Sequence, residues 1–198
     1  EGMVHFIKPS FKTRFFDGKR HLTPQVEQPF ASTNLPALAQ TKTHMVKAFV
    51  FAIDEGIISI LYQLDNDELH FSKLIQEENM FTGESEWIQQ HSHLDMLATG
   101  LQKLHISPDG SRIFVVTDKQ LFVGNSRYGD DVRMLYAPEL NRQKATITSS
   151  KLIAGANSLL LGFSDGVVEQ WFETNNDQGR QFVRVRGFKS QAPVNAIY

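Results

Sequence analysis

The segment Leu104–Gly124, LHISPDGSRIFVVTDKQLFVG, recurs along the chain, and this recurrence constrains the fold more than any other feature. At an offset of 47 residues, set by Ser111 on Ser158, Ile106 falls on Ile153, Ile113 on Leu160 and Phe114 on Leu161 without a gap. Val116 then falls on Phe163 and Asp118 on Asp165. A weaker copy, FAIDEGIISILYQLDN, puts Gly56 on Gly110 at an offset of 54. Each copy reads as strand, tight turn, strand, polar turn, strand. Self-similarity at roughly 40–50 residues, with several short strands per unit, is the mark of propeller blades. The expected fold is therefore all-β, a partial β-propeller treated as one 1–198 domain. Its units are 3–45, 46–90, 101–136 and 146–188, with the start of another at 192–198.

The unit boundaries follow from turn chemistry. In the first unit Lys12–Phe16 and Lys19–Leu22 flank Asp17-Gly18, a hairpin signal. Pro24, Pro29 and Pro36 punctuate Gln25–Thr43, expected as an extended loop, so this unit reads as a degenerate or terminal blade. In the second, Val46–Ile53, Ile57–Gln63 and Leu69–Ile75 are expected strands. Glu84–Gln90 would be an outer strand, against a competing short helix over Glu86–Leu97 that lacks a helical apolar stripe. In the third, Pro108-Asp109-Gly110 marks a turn, since proline fixes φ and glycine accepts the positive φ that follows. Ile113–Val116 is apolar at four successive positions, as expected of a strand buried on both faces; Gln120–Gly124 and Val132–Tyr136 complete that unit. The fourth carries Leu152–Ala154, Leu159–Phe163, Val167–Glu173 and Gln181–Phe188, with a polar hairpin tip at Asn175–Gly179.

Composition excludes several classes. Net charge is −2 over 198 residues, so no global field favours nucleic acid or anionic lipid. The absence of cysteine removes disulfides, thiolate metal sites and a cysteine nucleophile together. No apolar run approaches the roughly 20 residues of a membrane span, and no signal peptide is legible. The closing APVNAIY reads as a strand stopped in mid-course, so the chain is expected to be a piece of something larger that self-associates through its cut blade edges.

SPDGSRIFVVTD and SDGVVEQWFE resemble blades of the WD-repeat superfamily, in degenerate form: there is no Gly-His at a blade start and no Trp-Asp at a strand end. Leu159–Phe188, followed by Ala192–Ile197, is similar to the large WD-like insertion of some proteobacterial phosphate ABC-transporter permeases. The matching elements are Ser164-Asp165-Gly166, the strand end Gln170-Trp171-Phe172, the polar hairpin with Gly179-Arg180, and Ala192-Pro193-Val194. They cover about a quarter of the chain. The resemblance implies a non-catalytic interaction or regulatory domain, periplasmic, in a permease of a Gram-negative inner membrane. Its partners would be the substrate-binding protein or other transporter subunits. The alternative is a WD-like interaction scaffold of an unrelated multidomain protein.

Candidate chemistry is sparse, and neither cofactor, metal nor catalytic residue is assigned. His91-Ser92-His93 has the spacing to place two imidazoles on one face of a strand, with Asp95 as an added oxygen, but the expectation is exposed histidines in a loop. His105 matches Leu152 one copy later and is expected to be a half-buried packing residue. The paired carboxylates Asp65/Asp67, Glu77/Glu78, Glu84/Glu86 and Asp130/Asp131 are placed in solvated turns, and no P-loop or GxSxG is present. Asp118 and Asp165, matched by the repeat, are expected to cap turns. Arg180, Arg184 and Arg186, at i, i+4 and i+6, would share one face of a strand with Phe182 and could hold an anion or an acidic partner.

Overall fold

The computed structural model describes residues 3–5, 7–28, 33–34, 44–126, 133–142, 144–153, 157–177 and 179–198. Every regular element among them is a β-strand, and no helix is long and apolar enough to cross a membrane. The chain forms two compact units, Glu1–Met45 and Val46–Tyr198. In the first, β1 (Met3–Val4) pairs with β4 (Thr33–Asn34), and β2 (Lys8–Phe16) pairs with β3 (Lys19–Glu27) in a two-stranded ribbon. The ribbon turns on Asp17 and Gly18, both at positive φ (50° and 70°), as a two-residue hairpin turn requires. The expected loop begins later than the sequence suggests. β3 runs through Pro24 to Glu27, because a two-stranded ribbon has open edges that tolerate a missing N–H. Pro29, Pro36 and most of the remaining loop lie outside the described residues.

The second unit holds three consecutive blades. The first is β5 (Val46–Asp54), β6 (Ile57–Leu64), β7 (Glu68–Glu78) and β8 (Ser85–Leu97). The second is β9 (Leu101–Ile106), β10 (Arg112–Thr117), β11 (Leu121–Asn125) and β12 (Arg133–Tyr136). The third is β13 (Ile147–Leu152), β14 (Ser158–Phe163), β15 (Val167–Asn176) and β16 (Gly179–Lys189). Each is a four-stranded antiparallel meander in chain order, and β9 runs beside both β5 and β13.

The repeat becomes a stack because each middle strand is apolar on both faces. Along β10 the side chains alternate between two cores. Ile113 and Val115 join Leu61, Leu69, Phe71 and Leu94 of the first blade. Phe114 and Val116 join Leu159, Leu161, Trp171 and Phe182 of the third. All four β10 residues are fully buried. A one-residue slip would exchange the two sets, so register is fixed by packing on both sides.

Polar groups tie the blades as well. The Lys73 ammonium of the first blade donates to the carbonyl of Ser126 in the second, and the Gln63 amide anchors the connection between them by donating to the carbonyl of Ala98 at 2.8 Å. Arg112 pairs with Glu173 across the second interface, both side chains largely buried. The Pro108-Asp109-Gly110 turn is closed by the Gly110 N–H on the Ser107 carbonyl (2.8 Å) and by the Asp109 carboxylate, which accepts from the Ser111 N–H (3.0 Å). Gly110 is required twice over. Its φ is +67°, and a Cβ there would lie 2.6 Å from the Ser59 hydroxyl of the first blade. Asp165 caps its turn through the Val167 N–H (3.2 Å) and also accepts from Arg142 (2.6 Å).

Several boundaries differ from expectation. The competing helix over Glu86–Leu97 is instead a continuous 13-residue strand paired to β7 along its length. Consequently Glu77, Glu78 and Glu86 stand in strands rather than turns. The first strand of the third blade is Ile147–Leu152 and not Leu152–Ala154; Ala154 lies outside the described residues, as do Asp130 and Asp131. Ser190–Tyr198 forms no strand, although the Val194 N–H donates to the Phe163 carbonyl at 3.2 Å and Val194 fills the space left by Gly162.

Candidate functional site

The first blade gathers Glu68, His70, His91 and His93 on the face turned away from the second. Alternation along β7 sends Leu69 and Phe71 into the inter-blade core and Glu68, His70 and Ser72 to the other face. Antiparallel pairing then sets His93 opposite His70 and His91 opposite Ser72, with Tyr62 on the other side of His70. The expected loop histidines are thus strand residues, stacked on a third histidine. The His70 ring lies 5.4 Å from Tyr62 (21° between planes), 5.3 Å from His91 (15°) and 5.0 Å from His93 (40°).

His70 is 6% exposed, and neither of its ring nitrogens has a hydrogen-bond partner. Its Nε2 sits 3.5 Å from Glu68 Oε2, an ion-pair distance without hydrogen-bond alignment. One potential ligand atom from each of Glu68, His70 and His93 falls within a common span of 4.8 Å. Asp95, the oxygen expected beside the histidines, is not in this group. The β7–β8 register shifts so that Glu68 faces Leu97, and Asp95 falls in the bulged part of β8. His91 instead shares a hydrogen bond between its Nδ1 and the Ser72 hydroxyl at 3.2 Å. Sequence reading missed Glu68 and His70 because the signal, the alternation E-L-H-F-S, becomes a cluster only when β7 is paired with β8.

Burial first, then the neighbouring His91 and His93, pushes His70 down to about 4, so the ring is neutral at physiological pH. The Asn66 amide, and then the nearby imidazoles, hold the Glu68 carboxyl below its ordinary value.

A second buried histidine has a structural role. His105, 7% exposed on β9, bonds through Nε2 to the Ser150 hydroxyl of β13 at 2.8 Å, where a packing residue was expected. Burial first, then Lys103 and Lys151, pushes it down to about 4. The unfolded chain takes up this proton near the ordinary histidine value, before the folded one does. The stabilisation is therefore complete above about pH 6.5 and is lost as pH falls toward about 4, up to roughly 3 kcal/mol for this group. His70 adds to the same window. Urea unfolding of wild type and His105→Gln across pH 7.5–4.5 is expected to show a shallower acid slope in the variant; identical slopes would refute the assignment.

The three arginines do not form one stripe. Trp171 pairs with Arg184, but a β-bulge makes Gln170 pair with Arg186, with Val185 as the extra residue. Arg184 therefore shares the face of Trp171 and Phe182, and Arg186 lies on the opposite one. Phe182, expected on an open face, is 3% exposed in the core against the second blade, edge-on to Phe114 at 5.4 Å. Arg184 Nε lies 2.9 Å from Glu169 Oε1 in an ion pair, which supplies it with an internal anion. The same oxygen accepts from Arg142 Nε at 2.8 Å, and Glu169 Oε2 accepts from Trp171 Nε1 at 3.2 Å. Arg180 stands opposite Asn175, and its side chain lies outside the described residues. Arg186 remains exposed, on the face that also bears Phe172 and Phe188.

No protein-family model and no curated protein matches the sequence. Solved structures do. The propeller domain of Cps50 (Swd1) from Myceliophteria thermophila aligns with a TM-score of 0.50 at 14% identity, over 87% of this chain and 55% of that one. The propeller of Dos1 aligns at 0.40 and 15%, over 96% and 56%, and a periplasmic gluconolactonase of Pseudomonas aeruginosa at 0.46 and 14%, over 75% and 40%. The chain spans about half the length of these structures. The expectation of a non-catalytic domain, implied by the resemblance, is corrected: gluconolactonases are among the solved structures that align with this chain. At these identities the likeness concerns architecture alone, and the three blades are those of a β-propeller.

Proposed function

We propose that the chain serves as a protein-interaction scaffold. The observation that carries this reading is the outer face of the third blade. There Phe172 (40% exposed) and Phe188 (56%) flank Arg186 on strands whose opposite face is locked into the core. Aromatic rings beside a guanidinium are the composition of interface centres. In its finer form, the domain belongs to a phosphate-type ABC importer permease of a Gram-negative inner membrane. It would lie on the periplasmic side and meet the substrate-binding protein or another transporter subunit. The likeness of Leu159–Phe188 and Ala192–Ile197 to the permease insertion supports that form.

The test measures binding of the chain to the phosphate-binding protein of the same genome by surface plasmon resonance. Saturable binding weakened at least tenfold by Phe172→Ser and by Arg186→Glu supports the reading. No binding, together with a parent reading frame lacking membrane spans on either side, removes the transporter form. Should the occupant be a second copy of the chain, light scattering shows a concentration-dependent mass that Arg186→Glu abolishes.

A further inference from the structure

We propose that Glu68, His70 and His93 form a binding site for a divalent transition-metal ion of the zinc class on the far face of the first blade. Three observations converge. The ligand set, two imidazoles and one carboxylate, matches ions of borderline softness and is unsuited to Ca²⁺ or Mg²⁺, which take oxygen donors. The spacing fits: bonds of 2.0–2.2 Å in a tetrahedron place ligand atoms about 3.4 Å apart, and His70 Nε2 lies 3.5 Å from Glu68 Oε2. His93 comes from the residue directly opposite His70 in the strand pair, and the three ligand atoms lie within 4.8 Å of one another. The third observation is the strongest. His70 is 6% exposed with both ring nitrogens lacking a hydrogen bond, a costly arrangement that a metal bond at Nε2 would relieve.

The scaffold holds the ligands in distinct ways. His70 packs against the rings of Tyr62 and His91, which lie 6.5 Å from each other, while the Glu68 side chain is 39% exposed and His93 is exposed. The buried histidine is thus a fixed base, and the two outer ligands can close on an ion arriving from solvent. Both outer ligands leave room for a further ligand from water or from a bound partner. His91, engaged with Ser72, supports the stack without ligating.

The test uses the whole chain. Zinc titration followed calorimetrically at pH 7.5 should give one saturable site. Cobalt substitution should give the intense visible absorption of a tetrahedral ion, and Mg²⁺ should give neither. His93→Ala and Glu68→Gln, both at accessible positions, should each weaken zinc binding at least tenfold with thermal unfolding preserved, and His91→Phe should leave it within twofold. Absence of a saturable zinc site in the wild type overturns the proposal. So does a site whose affinity is untouched by both ligand variants, which would place the ion on other histidines. Partner binding does not enter any of these readouts, so the metal site stands or falls independently of the scaffold reading.

Discussion

Phe114→Ala is expected to lower the unfolding free energy by about 3–5 kcal/mol, a large part of the total for a single domain. The phenyl ring is fully buried on β10, edge-on to Phe182 and packed among Leu159, Leu161 and Trp171 of the third blade. Its removal takes away transfer energy and leaves a cavity at the junction of two blades, whose paired backbones cannot collapse into it. Phe49→Ala provides the internal comparison. It removes the same side chain from a position 64% exposed, and should change stability by no more than about 0.5 kcal/mol. Urea unfolding of both variants measures the difference. Equal effects would show that the second and third blades do not share the Phe114 core.

The second large effect is expected at Glu169. This carboxylate is 4% exposed, accepts hydrogen bonds from Arg142 and the indole N–H of Trp171, and forms an ion pair with Arg184. Glu169→Ala leaves the Arg184 guanidinium and the buried indole N–H without this partner, and leaves Arg142 with Asp165 alone. Breaking a buried ion pair costs about 3–5 kcal/mol, and the half-exposed Arg184 regains water, so the lower end, about 3 kcal/mol, applies. Glu169→Gln keeps the shape and one acceptor oxygen and should cost about half as much. Chemical denaturation at neutral pH separates the two. A loss below about 1 kcal/mol for the alanine variant would mean that solvent already screens the cluster.

Much of the blade architecture was legible because it depends on local pattern. The run Ile113–Val116 announced a strand buried on both faces, and Pro108-Asp109-Gly110 announced the turn before it. What could not be read depends on pairing. The first strand of the third blade, Ile147–Leu152, carries Thr148, Ser149 and Ser150, too polar to signal a strand. Its position is fixed by β14 and by the His105–Ser150 hydrogen bond. The arginine stripe failed because one bulge in β16 reverses the facing of every residue beyond it, and no composition signal marks Val185 as the extra residue. The histidine cluster was half visible. His91 and His93 shared a face as their spacing required, whereas Glu68 and His70 joined them only through the β7–β8 register. Strand existence is local, but which side chains meet is set by the register between paired strands.

The central claim, that β10 divides its side chains between two blades, is tested most directly by methyl nuclear Overhauser contacts in the isotopically labelled chain. Ile113 and Val115 should show cross-peaks to Leu61, Leu69 or Leu94, and Val116 to Leu159 or Leu161. Contacts from Ile113 to Leu161, or from Val116 to Leu69, would mean a slipped register and would contradict the arrangement of blades described above.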